Sequence, residues 1–194
     1  MTHWDHIIAI AKRMLREPRE AAGEIMDLRM PVGTLVPAFV VVMILSVIVT
    51  EPLLVLASSM FPGEPLPPLL RAIGSVVGGL AVGWVIWKLG GLFGGQARFE
   101  QVLLAFVFLE LIFTGGVLGL LILTALLPYL AGFAGIGFVI YWLWMFAVTL
   151  DEVQGFRSPW KAFAVVLMSW VIVNYTSLLV LNLLAGLFGG PSNV

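Results

Sequence analysis

Two ionisable side chains, Lys88 and Glu110, stand inside otherwise apolar stretches. Glu110 falls about ten residues into a leucine-rich run that begins near Gln101, so roughly 15 Å along a helix. A carboxylate at that depth in an apolar medium is expensive and needs a cationic partner or a proton. Lys88 is the candidate partner, about seven residues or ~10 Å inside the end of the preceding apolar run. A short glycine-rich connection joins the two runs, so antiparallel packing lets the side chains meet. Such a pair has the chemistry of a proton or ion relay, or of a polar contact for a small solute. The structural alternative is that Lys88 extends along its stem to the interface and Glu110 is protonated or bonded to a neighbouring helix.

Asn174 and Asn182, eight residues apart on one helical face, could line a polar path. The favoured reading is packing, since amides in apolar helices make interhelical hydrogen bonds of about 1 kcal/mol. Glycine is abundant, with 21 in the chain. Gly74, Gly78, Gly79 and Gly83 mark one apolar run, and Gly115, Gly116 and Gly119 the next. Small residues permit close helix approach in lipid. They are expected to pack helices within the chain, with a homo-oligomer interface or a mobile helix pair as the alternative. His3 and His6, with only Asp5 beside them, do not make a metal-ligand set. There is no cysteine, and no HExxH, GxSxG or P-loop pattern occurs. No catalytic residue, metal or cofactor is expected.

The elements that would position these residues follow from composition. The chain has 194 residues, 61% hydrophobic and 11% charged, with mean hydropathy +1.08. A soluble domain carries about 25% charged residues, so a soluble enzyme and a disordered tail are excluded. The net charge of −1 leaves no basic footprint for nucleic acid. The bilayer is the solvent that fits.

Charge spacing divides the chain into an N-terminal segment, 1–29, and an apolar remainder, 30–194. The first segment holds ten of the 21 charged groups. The remainder reads as five spanning helices: Val32–Ala57, Ala72–Phe93, Gln101–Leu127, Leu130–Leu150 and Pro159–Phe188. Residues 111–150 carry no charge and as one helix would reach roughly 60 Å, twice the hydrocarbon thickness. The chain therefore turns back, and Leu127-Pro128-Tyr129 is the corner. Nine of the ten lysines and arginines fall on one side of this topology, and only Arg71 on the other. The N-terminus is thus expected in the cytoplasm and the C-terminus outside. Residues 58–68, with four prolines, read as an irregular external loop, and Glu51 lies at the external interface. Trp84, Trp87, Trp142, Trp144, Trp160 and Tyr129 fall near span ends, as an aromatic belt requires.

The N-terminal segment is amphipathic. Trp4, Ile7, Ile8, Ala11, Met14 and Leu15 recur at helical spacing, with Glu17-Pro18 as a break before a second short helix, Pro18–Leu28. Both are expected to lie on the membrane surface. There Trp4, Ile7, Ile8, Met14 and Leu15 would insert, and Arg13 and Arg16 would meet anionic headgroups. No cleavable signal peptide is expected. The fold class is all-α: a polytopic bundle of five transmembrane helices preceded by amphipathic interfacial helices.

This pattern resembles the Yip family, named for Ypt/Rab-GTPase-interacting proteins. Arg16-Glu17-Pro18 matches its basic-then-proline entry to the first span. Lys88 through Phe99 (KLGGLFGGQARF) matches its glycine-rich turn. Trp144, Leu150, Glu152, Gly155, Phe156, Lys161 and Ala162 resemble its run from an apolar helix end through an acidic residue and a glycine turn to a lysine-alanine helix start. Prolines that the family often has in its third and fifth spans are absent from Phe108–Gly116 and Val165–Val173. The long cytosolic region of eukaryotic members is not present, so the compact bacterial type fits best and Rab binding is not implied. The resemblance implies a polytopic inner-membrane protein without recognised catalytic residues. The leading expectation is a non-enzymatic protein that organises membrane lipids or partner proteins. The alternatives are a transporter for a small solute, ion or lipid through Glu110 and Lys88, and an accessory subunit of a larger membrane complex.

Overall fold

A computed structural model of the chain describes residues 3–28, 30–58 and 67–188, and side chains over 8–28, 30–55 and 67–183. Its elements are α1 (His3–Met14), α2 (Pro18–Asp27), α3 (Val32–Ser58), α4 (Pro68–Leu92), α5 (Phe99–Leu126), α6 (Pro128–Gln154) and α7 (Pro159–Phe188). Among the described residues every regular element is a helix, and α3 to α7 are each long and apolar enough to cross a membrane. Only a helix satisfies its own backbone in lipid without a partner segment.

The boundaries have local causes. Pro18, Pro68 and Pro128 stand in the first turns of α2, α4 and α6, and Pro159 opens α7. A first-turn proline lacks only an N–H that would have had no intrahelical acceptor. The α5–α6 corner falls at Leu127-Pro128, as the uncharged run required. The second, third and fourth spans begin two to four residues earlier than composition alone placed them. The proline-rich loop lies mostly outside the described residues.

The helices run alternately up and down. We call the end that gathers the α4–α5 and α6–α7 turns together with α2 the near face, and the opposite end the far face. α5 is central: it packs on α3, α6, α4 and α2. Val102, Leu103, Ala105 and Leu109 on it are buried, so the core lies in the near half. The flanks of α4, α6 and α7 keep large apolar side chains exposed, among them Val77, Phe133, Ile140, Leu179 and Leu181. In a span, such residues face acyl chains.

The N-terminal helices are part of this core. α1 packs on α2, and α2 packs on α6 and α5. Ala21, Ala22 and Ile25 of α2, with Ile10 and Met14 of α1, join one cluster with Leu103, Met145 and Leu150. Met14 is fully buried, which corrects its expected place in the membrane surface. Of the described stripe residues Met14 is covered by protein, where two alanines let α2 approach the spans closely, while Ile8 and Leu15 stay about half exposed.

Candidate functional site: a polar clamp at the near face

The site begins with two polar residues in the last turn of α6. Asp151 and Gln154 are each 1% exposed. A carboxylate so buried requires bonds to its oxygens, and three elements provide them. Arg19 of α2 places Nη2 at 2.6 Å from Asp151 Oδ2, with its Nε 3.6 Å from Glu152 Oε2. The Ser158 backbone N–H donates to Asp151 Oδ1 at 2.7 Å.

The second bond depends on the α6–α7 turn. Gly155 ends α6 in the left-handed conformation at φ 70°, where glycine carries no Cβ penalty. Arg157 is also left-handed at φ 59°. These two residues reverse the chain within four positions and bring Ser158 back to Asp151.

Gln154 ties in the α4–α5 turn. Its carbonyl accepts from the Gln96 N–H at 3.0 Å. Its amide lies where the turn's glycines leave space: a Cβ on Gly90 would overlap Gln154 Nε2, and one on Gly95 would overlap Gln154 Oε1 and crowd the Gly90 carbonyl. Those glycines are therefore required by a close approach. Asp151 and Gln154, three residues apart, join α2, α7 and the α4–α5 turn to the end of α6. The ion pair adds direction to the apolar contacts of Ala21, Ala22 and Ile25, since charge-assisted bonds are the stronger and more oriented kind. Sequence reasoning missed Arg19, Asp151 and Gln154. The available signal was the Asp151-Glu152 pair closing a long apolar run.

The outer side of the arm differs from its inner side. Arg13 pairs with Glu24 across the α1–α2 hairpin, so it is not free for headgroups as expected. Arg16 is exposed. Ile8 and Leu15 are about half exposed, and the Tyr141 hydroxyl donates to the Leu15 carbonyl. The side chains of Trp4, Ile7, His3 and His6 lie outside the described ones.

The expected intramembrane pair does not form. Lys88 is exposed, with Nζ 4.2 Å from the Trp87 ring centroid and 5.9 Å from that of Trp84, a cation–π geometry. Glu110 instead lies beside Ser46 of α3. The reason is packing: the face of α5 that bears Glu110 turns to α3, its most extensive neighbour, and not to α4.

Asn174 and Asn182 are exposed and donate to the Trp170 and Leu178 carbonyls of their own helix, at 2.8 and 2.9 Å. They make no interhelical bond among the described residues, because that face of α7 is not covered. The glycine expectation also needs correction. A Cβ on Gly79 would stand 2.7 Å from Phe39 Cζ, so Gly79 does pack helices, but one on Gly74, Gly78, Gly83, Gly115 or Gly119 would meet nothing within 4 Å. A Cβ on Gly116, beside Gly115, would overlap the Phe138 ring. Of the aromatic belt, Trp84, Trp144, Trp160 and Tyr129 are exposed. Trp142 packs on Phe113 and Phe146, and Trp87 donates to the Ala97 carbonyl.

A family model described as the Yip1 domain matches residues 12–181. No curated protein and no solved structure matches the chain. The family match runs from α1 into α7 and includes every residue of the clamp, and with five helices fit to span a bilayer the chain is an integral membrane protein that belongs to the Yip1-domain family.

Proposed function

We propose that the protein is a non-enzymatic membrane organiser. In this reading the near face is cytoplasmic, and the clamp holds the α1–α2 arm against the bundle at the level of the inner leaflet. The observation that carries the reading is the contact of Arg19 with buried Asp151. It fixes the arm in one orientation, with Ile8 and Leu15 about half exposed along a groove beside α5 and α6 and Arg16 exposed. Half-exposed apolar residues beside a cation suit the headgroup boundary. The arm then presents a fixed surface to lipids or partner chains. The separation of Lys88 from Glu110 weighs against transport through that pair.

The chain has no cysteine, so single-cysteine variants report directly. Ile8→Cys and Leu15→Cys would each carry an environment-sensitive fluorophore in liposomes containing anionic lipid. Quenching by brominated lipid is expected at both positions, and Arg19→Glu should shift both probes toward water. Probes open to aqueous iodide before that substitution would overturn the reading. Co-purification of a defined partner in mild detergent, with the same probes shielded by protein, would make the chain an accessory subunit instead.

A further inference from the structure

A groove of about 620 Å³ opens between α3, α4 and α7 toward the far face. Its polar, far-face end holds Arg71 and Thr50, with Glu51 paired to Arg71, and Asn174 lies about 6 Å, one helical turn, deeper. The rest is mostly apolar, running past Gly74 and Gly78 to Met43, Val82 and Trp170, with Ser75 and Ser177 also on its wall. Glu51 lies 19 residues into α3, about 29 Å from its start. That is one hydrocarbon thickness, ~30 Å, so the polar end sits at headgroup level and the apolar tract descends among the acyl chains.

The polar end has unused bonding capacity of a definite kind. Arg71 Nε is buried and has no hydrogen-bond partner among the described residues. A buried guanidinium N–H needs an acceptor, and phosphate suits the guanidinium fork. Thr50 spends its hydroxyl proton on the Ser46 and Val47 carbonyls. Asn174 spends one of its two amide N–H groups on the Trp170 carbonyl. Each keeps an oxygen as acceptor. With Glu51, the groove thus offers one cationic donor, one free Asn174 N–H and three acceptors at net zero charge, beside the Ser75 and Ser177 hydroxyls. Choline has no N–H to give those acceptors, and an anionic headgroup would bring an uncompensated charge to Glu51. A primary ammonium beside a phosphate satisfies both halves.

The apolar tract is shaped for a chain. Gly74 and Gly78 lie one turn apart on one face of α4, and a Cβ on either would meet nothing within 4 Å. Their lack of side chains widens this groove and packs no helix of this chain. A span of a second copy would present apolar side chains to Arg71 Nε and leave it without an acceptor.

We infer that this groove binds one zwitterionic phospholipid of the phosphatidylethanolamine class from the surrounding bilayer. Its phosphate bonds to Arg71, its ammonium to Glu51, Thr50 and Asn174, and an acyl chain lies over Gly74 and Gly78.

The test uses the full chain purified in mild detergent with equimolar phosphatidylethanolamine, phosphatidylcholine and phosphatidylglycerol, and native mass spectrometry to count bound lipid. One phosphatidylethanolamine per chain is expected, at least tenfold above the other two. Arg71→Gln should abolish the headgroup preference. Gly78→Leu, which fills the tract from a position with open space, should lower retention at least tenfold. Gly115→Leu, at an equally open position on α5, should leave retention unchanged and so controls for folding. Equal retention of the three lipids overturns the inference. So does undiminished retention in Gly78→Leu, equal loss in Gly115→Leu, or a lipid-free dimer.

Discussion

Arg19 Nη2 and Asp151 Oδ2 lie 2.6 Å apart, yet the arginine side chain is 55% exposed and the aspartate 1%. That asymmetry sets what each substitution does. Arg19→Met strands a buried carboxylate with only the Ser158 N–H for company. An unsatisfied buried polar group costs about 1–3 kcal/mol, more when charged. Asp151→Asn keeps an oxygen for Ser158 and frees an arginine that water and Glu152 can satisfy. We expect Arg19→Met to lower the unfolding midpoint in detergent more than Asp151→Asn, followed by tryptophan fluorescence. The reverse order would mean that the ion pair is not what holds α2.

Ser46 and Glu110 provide a second test, inside the membrane. Their side chains approach each other between α3 and α5, the most extensive helix pair in the bundle. Interhelical bonds in bilayers couple by about 0.6 kcal/mol on average and at most about 1.7 kcal/mol. A double-mutant cycle of Ser46→Ala and Glu110→Ala should give a coupling in that range, measured by reversible unfolding in mixed micelles. Lys88→Ala crossed with Glu110→Ala should give none. Coupling in the second cycle and not the first would restore the Lys88–Glu110 pair.

The contrast between those two pairs shows which parts of the molecule are legible in the sequence. The five spans follow from apolar runs and prolines, because lipid leaves the backbone no choice but helix. Glu110 is visible as an acid inside a span for the same reason. Its partner is not visible, since helix rotation decides whether α5 shows Glu110 to α3 or α4, and period and composition do not encode rotation. Arg19 and Asp151 are far apart in the chain and ordinary in type, so nothing local announces that they meet. Met14 fits a membrane-surface stripe as well as a protein-facing one, because both ask for the same apolar residues. Adjacent glycines differ in role for a similar reason: each looks like a packing residue until its neighbours are known.

Those adjacent glycines give a third prediction. A Cβ on Gly79 would stand 2.7 Å from the ring tip of Phe39, which is fully buried, and 3.3 Å from Met43. Overpacking of this kind costs about 1–3 kcal/mol. Gly78 has open space, and Gly→Ala in a helix interior gains up to about 1 kcal/mol. Gly79→Val should therefore destabilise the bundle, while Gly78→Ala is neutral or stabilising, by the same unfolding measurement. Equal effects at both positions would show that α4 does not present Gly79 to α3.

The turn between α6 and α7 gives the last prediction. Gly155 at φ 70° and Arg157 at φ 59° share the left-handed region, but only one of them is glycine. An L-residue there loses about 1–2 kcal/mol, so Gly155→Ala should lower stability by about that amount. Arg157→Gly removes the same strain from the folded state and adds freedom to the unfolded chain, which offsets it by about 0.4–1 kcal/mol. The net effect should run from neutral to a gain of about 1.6 kcal/mol. The turn also delivers the Ser158 N–H to Asp151, so its geometry bears on the clamp. If the clamp depends on the turn, combining Gly155→Ala with Asp151→Ala should cost less than the sum of the two single losses. The bond that the turn positions is already gone in Asp151→Ala. Strict additivity would show that the turn and the carboxylate act independently, and that Asp151 is held by Arg19 alone.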